Sequence, residues 1–195
     1  MAWRDNPNQW GSISIGLHWL TFVLVLCAAV IGLVMDEFPS GRLKLQVYAV
    51  HKSFGITVLA LTALRLAWRA LGKGPVAVEG TPRWQDGIAR LTHGALYGLL
   101  LAVPLSGWWY NSAAGFPLRW FGLVALPKLT TYNRELKHLA EDVHEALFYA
   151  LAGLILVHAM AALWHHYFAR DTTLSRMLPT ARPDSPMAQP GPEGS

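Results

Sequence analysis

The sequence is short of charge and of cysteine, and each shortage narrows what the chain can be. Charged residues fill 14% of the 195 positions and hydrophobic ones 53%. A soluble domain carries about 25% charge, so a folded existence in water is excluded. The single cysteine, Cys27, lies inside an apolar run. There is accordingly no disulfide framework, no Cys-x-x-Cys pair and no Cys-x-x-Cys-His attachment site. His144-Glu145 lacks the second histidine of a zinc-protease helix, because Phe148 stands in its place. No nucleic-acid partner is expected.

Apolar stretches are plentiful instead. Four windows are long enough to cross a hydrocarbon layer of about 30 Å: Ile13 to Val34, Val47 to Trp68, Ile88 to Tyr110 and Val143 to Phe168. The first is expected to be a span and not a cleaved signal, since its apolar run exceeds the about 7 to 15 residues of a signal core and Arg4 is offset by Asp5. These windows take up most of the chain and leave no room for a second folded domain. The expected fold is all-α, a single four-transmembrane-helix up-down bundle in the lipid bilayer covering residues 13–178. A cytoplasmic segment, residues 1–12, precedes it, with Trp3 and Trp10 in the headgroup layer. Past the fourth span, Arg170 to Ser195 carries five prolines and no apolar periodicity, and the Pro-rich tail 179–195 is expected to be disordered.

Basic residues set the orientation. The connection from Ala70 to Gln85 holds Lys73 and Arg83, flanked by Arg65, Arg69 and Arg90. By the positive-inside rule this side, with both termini, faces the cytoplasm. Arg119, Lys128, Arg134 and Lys137 in the last connection pull the other way. Within the spans, Lys52 and Arg65 are expected to snorkel to opposite surfaces. Pro104 should kink the third span, while Gly94 and Gly98 give it a small-residue face for close approach of a helix or a porphyrin. Trp108, Trp109 and Tyr110 mark an interface, and the aromatic loop from Asn111 to Lys137 is expected to lie on the membrane as a cap.

The spans also contain histidines, which are costly at that depth unless paired or coordinating. His144 and His158 stand fourteen residues apart on the fourth window. At about 100° and 1.5 Å per residue they share nearly one face and differ in height by roughly 21 Å. That arrangement suits two metal centres stacked across a membrane, and with no covalent attachment site the reading is two haem b groups. An up-down order pairs His51 with His144 near the outer surface. His158 lies toward the cytoplasm, where His18 and His93 are both available, and spacing does not choose between them. The acidic and His138-bearing start of the fourth helix, with Glu141, Asp142 and Glu145, reads as a solvated helix N-terminus and not a metal patch.

The set Leu17-His18-Trp19-Leu20, His51 followed by Gly55, Val143-His144-Glu145, His158 before His165-His166-Tyr167-Phe168, and the closing run Asp171 to Pro179 resembles prokaryotic cytochrome b561, more narrowly its di-haem superoxide oxidase branch. The resemblance spans nearly all of residues 10–179. It implies His18 with His158 on an inner haem, His51 with His144 on an outer one, and His93 without iron. It further implies superoxide as donor on the periplasmic side and ubiquinone as acceptor, in the bacterial inner membrane. A periplasmic redox protein served by a quinol-linked cytochrome is the alternative partner, and a haem-free structural bundle the remaining one. Bis-imidazole ligation leaves no iron position for oxygen, so outer-sphere electron transfer is the expected chemistry. An anionic donor wants a positive rim; Arg42, Lys44, Lys52, Arg119, Lys128, Arg134 and Lys137 offer one, but six carboxylates on the same side leave a net of only about +1. His165, about 20° around the helix from His158 and roughly 10 Å nearer the cytoplasm, is the expected quinone hydrogen-bond or proton-relay residue, unless it serves with Trp164, His166 and Tyr167 as an interface anchor.

Overall fold

A computed structural model describes residues 3–7, 9–72, 74–75 and 82–178. The expected disordered tail, 179–195, and Lys73 of the basic connection lie outside the described residues. Four helices run up and down: α1 (Ser12–Val34), α2 (Arg42–Leu71), α3 (Arg83–Ala113) and α4 (Arg134–Trp164). Each is long and apolar enough to cross a membrane. Both described ends of the bundle therefore fall on one side, here the termini end; the other is the hairpin end.

Three of the helices begin well before their apolar windows, α2 at Arg42, α3 at Arg83 and α4 at Arg134. Hydropathy marks only the part of a helix inside hydrocarbon, whereas the backbone ladder continues into polar sequence wherever a cap supports it. For α4 the cap is Asn133, whose side chain accepts from the Leu136 N–H at 3.0 Å. At α1 the Asp5 carboxylate does similar work, accepting from the Gly11 N–H at 2.7 Å and from Ser14 Oγ at 2.8 Å. Trp3 meets Trp68 and Arg69 lies over Trp10, which gives the termini end an aromatic and cationic belt.

The packing is inside-out relative to a soluble bundle. Ser14, Thr21, Ser53, Thr62, Ser106 and Ser112 are buried, while Leu20, Val23, Leu26 and Val30 of α1 face outward. Lipid solvates the aliphatic faces, and small hydroxylic residues let the backbones come close. α1 packs on α2, α2 on α3 and α3 on α4. α4 stands off α1 and α2, and the histidines face one another across that gap.

The loop after α3 is a cap with structure of its own. Leu118–Trp120 (β1) pairs antiparallel with Val124–Leu126 (β2), Leu118 opposite Leu126. Phe121 and Gly122 turn the hairpin with φ of 47° and 75°. Its tip is tied to α2: the Phe121 N–H donates to Ser53 Oγ at 2.9 Å and Trp120 Nε1 to Thr57 Oγ1 at 3.0 Å. Trp108 Nε1 donates to the Pro127 carbonyl and tethers the far side of the loop to α3.

The closing segment, residues 170–178, lacks apolar periodicity yet folds back on the bundle. A π turn, His165–Ala169, ends α4. A 3-10 turn over Ser175–Met177 follows, whose Met177 carbonyl accepts from Trp19 Nε1 at 2.7 Å. Hydrogen bonding, not an apolar stripe, orders this stretch.

Candidate functional site

At the hairpin end, the His51 and His144 rings face each other with centres 6.4 Å apart and planes at 89°. Their backs are fixed by the backbone. His51 Nδ1 lies 3.0 Å from the Ala28 carbonyl, and His144 Nδ1 lies 2.9 Å from the Val103 carbonyl and 3.0 Å from Ser106 Oγ. A carbonyl only accepts, so each Nδ1 carries the proton and each Nε2 keeps its lone pair for a metal. A glycine lies against each ring: a Cβ on Gly32 would come within 3.0 Å of His51 Cε1, and one on Gly107 within 2.9 Å of His144 Cε1. Glycine at these two positions makes room for imidazoles in this orientation.

At the termini end, His158 faces two histidines. Its ring centre is 6.5 Å from that of His18 and 5.5 Å from that of His93. Two metal–imidazole bonds of about 2 Å, each with its ring centre about 1.1 Å beyond the nitrogen, separate the ring centres by about 6 Å when the ligands are opposed. The His18–His158 and His51–His144 separations both leave room for that, and His93 stands closer to His158 than an intervening iron allows. Arg65 Nη1 lies 3.1 Å from His18 Nδ1 and its guanidinium 5.5 Å from the Tyr97 ring centre.

A cavity of about 530 Å³ opens between His51 and His144 and the hairpin. Lys44, Lys52, Arg119 and Lys137 line it, with Tyr48, Tyr110 and Phe116, and among the described residues no carboxylate does. The nearby acids do not line it and are engaged, Asp36 by the Tyr48 hydroxyl and by Lys44 at 4.0 Å, and Glu141 by the Tyr110 hydroxyl at 3.0 Å and by Lys137 at 3.9 Å. Lys52 lies 5.5 Å over the Phe116 ring at the wall of this cavity. Of the seven candidate rim cations, Arg42, Lys128 and Arg134 are not on its wall; Lys128 binds the Gly115 carbonyl.

The fit to haem rests on these features. Two pairs of imidazoles stand at iron-spanning separation, the outer pair has its Nδ1 protons turned away, and cationic groups beside each pair suit propionates. Gly94 and Gly98 of α3 have open space beside them, a gap of the kind a porphyrin face fills. Reading the sequence missed Gly32, Gly107, the Ala28 and Val103 carbonyls and Ser106. None has a motif; only the three-dimensional approach of another helix gives them a role.

His165 lies at the end of α4 with its Nδ1 2.5 Å from Asp171 Oδ2, a partner that sequence spacing did not supply. His166 is turned elsewhere, against Tyr167.

Comparison with known proteins gives the family. Residues 9–180 match the family model described as prokaryotic cytochrome b561. Cytochrome b561 homolog 1 of Escherichia coli K12 is 34% identical, over 88% of this chain and 98% of its own length. Cytochrome b561 homolog 2 of the same organism is 30% identical, over 91% and 95%. A protein of Yersinia pestis named probable superoxide oxidase CybB is 29% identical, over 90% and 98%. The chain is a multi-pass bacterial membrane protein with a b-type haem function, and it belongs to the prokaryotic cytochrome b561 family.

Proposed function

We propose that this protein is a di-haem superoxide:ubiquinone oxidoreductase of the bacterial inner membrane, with its hairpin end in the periplasm and its termini in the cytoplasm. One observation carries the reading: two imidazole pairs at iron-spanning separation lie at the two ends of α4, and the outer pair opens into a cavity walled by cations and free of carboxylates. The relative named as a probable superoxide oxidase lends it weight.

His51 and His144 would hold the outer haem, and His18 and His158 the inner one. Each haem, when bound, would supply a one-electron iron couple for outer-sphere electron transfer. The remaining work falls to the chain. Arg65 offers charge for propionates at the inner centre. The Ala28 and Val103 carbonyls hold the imidazole tautomers and orientations. Lys44, Lys52, Arg119 and Lys137 draw an anion toward the outer edge. Two superoxide ions each lose one electron and leave as dioxygen; one ubiquinone gains two electrons and two protons and leaves as ubiquinol. His165, at the cytoplasmic surface below His158, is the quinone-contacting residue.

Stopped-flow absorbance of the oxidised protein mixed with superoxide, with and without ubiquinone, tests this. Rapid haem reduction and catalytic quinol formation are expected. Haems that respond to quinol but not to superoxide would replace this reading with that of a quinol-linked cytochrome for a periplasmic redox protein.

A further inference from the structure

At the termini end the chain reverses sharply onto itself. After the π turn His165–Ala169, Arg170 adopts a left-handed conformation with φ 52°, unusual for a residue other than glycine. π turns and strained backbone concentrate where function requires them. The reversal delivers Asp171 to His165. Asp171 Oδ2 lies 2.5 Å from His165 Nδ1, while Oδ1 accepts from the Thr173 N–H at 2.8 Å and the Asp171 N–H donates to the His165 carbonyl at 3.2 Å. Both carboxylate oxygens are thus committed, and the segment carrying them is tied through Met177 to Trp19, next to His18.

Chemistry follows from which nitrogen is left. Nδ1 belongs to the carboxylate, so Nε2 alone faces a ligand. With Nδ1–H held on the carboxylate, Nε2 is the ring position through which a proton can pass to a ligand. Around it, Trp164, Tyr167 and Phe168 expose apolar rings, the surface by which a membrane-dissolved headgroup arrives.

We propose that Asp171 is the positioning residue of a His165–Asp171 dyad that hydrogen-bonds one carbonyl oxygen of a membrane-dissolved quinone and gives it a proton. This rests on the reading of a quinone site below the inner imidazole pair. The quinone takes two electrons, one at a time, from the reduced inner centre. Its first oxygen takes the Nε2 proton, and interfacial water gives a proton to the second oxygen. Nε2 then regains a proton from cytoplasmic water, with Nδ1–H held on Asp171 throughout.

The test uses the full haem-loaded protein, reduced with dithionite, freed of excess reductant and mixed with ubiquinone-1, so that the identity of the physiological donor does not enter. Haem reoxidation is followed as a function of quinone concentration. Asp171→Asn should lower the rate at saturating quinone by about ten-fold or more, with a much smaller change in the half-saturating concentration and a larger solvent deuterium effect. Asp171→Glu should recover part of the rate, and haem content should stay that of the unsubstituted protein. Trp19→Phe cuts the tie of the closing segment without touching the dyad and should leave the rate near normal. An unchanged saturating rate in Asp171→Asn, with His165→Gln slow, would overturn the dyad and leave the quinone site standing. Unchanged rates in both would remove the quinone site itself. A Trp19→Phe protein as slow as Asp171→Asn would reduce Asp171 to a structural role and overturn the proposal.

Discussion

A histidine in a membrane helix becomes a ligand through what holds its other nitrogen. In His51 and His144 each Nδ1 is turned onto a carbonyl of a neighbouring helix, which leaves each Nε2 for the iron proposed between them. If the pairing is right, His144→Ala and His158→Ala each remove a different haem. Haem extracted per chain should fall from two to one in either variant, with different bands lost from the reduced-minus-oxidised spectrum; two haems retained in both would end the ligand assignment. Gly107 offers a gentler probe. A side chain there meets His144 Cε1 at 2.9 Å, and the ring cannot swing away cheaply because Val103 and Ser106 hold it. Gly107→Val is therefore expected to deplete or distort the outer centre and spare the inner one, while Gly87→Ala, which meets nothing within 4 Å, should change neither spectrum. The ligand candidates were legible in the sequence, because an ionisable group deep in an apolar run stands out. Their supports were not, because a glycine or a backbone carbonyl has no signature until another helix lies against it.

Elements were legible to the extent that hydrocarbon defines them. The four spans follow from apolar run length, but the polar starts of α2, α3 and α4, the hairpin and the folded-back segment follow from caps and side-chain anchors that hydropathy does not register. The hairpin is the clearest case. Ser53 is almost wholly buried and accepts from the Phe121 N–H, so Ser53→Ala leaves a donor unpaired beneath the cap at a cost of about 1 to 3 kcal/mol. Amide hydrogen exchange over residues 118–126 should quicken accordingly, and exchange unchanged there would show that the anchor contributes nothing. The closing segment responds to acid instead. Burial pushes the Asp171 carboxyl up, but hydrogen bonds from Thr173 and His165 outweigh it and hold the group below the usual carboxylate range. A depressed folded pKa contributes stability that is complete above the unfolded value and is lost as pH falls through the folded one. Protease protection of residues 170–178 should therefore persist through the ordinary carboxylate range and fail only in stronger acid. In Asp171→Asn that acid-dependent step should vanish.

For the molecule as a whole, the sequence shows how much charge there is but not which way it faces. Counted along the chain, the outer cations and carboxylates nearly cancel. Folding brings Lys44, Lys52, Arg119 and Lys137 to the cavity wall, while Asp36 and Glu141, which pair with Lys44 and Lys137 and accept from the Tyr48 and Tyr110 hydroxyls, do not line it. A small anion approaching His51 and His144 then meets a positive lining, although a distant observer meets an almost neutral face. Steering of this kind is short-ranged and screened, with a Debye length of about 10 Å at 0.1 M salt. The double variant Lys52→Gln, Arg119→Gln should slow haem reduction by superoxide by roughly ten-fold at low ionic strength and flatten its dependence on added salt. Reduction from the quinol side, where the reactant is neutral and enters at the other end, should keep its rate, which separates loss of steering from loss of the haem itself. Equal slowing from both ends would mean that these cations hold the outer centre together and do not guide the donor. An unaltered salt dependence with a normal quinol-side rate would mean that the cavity lining has no part in choosing an anion.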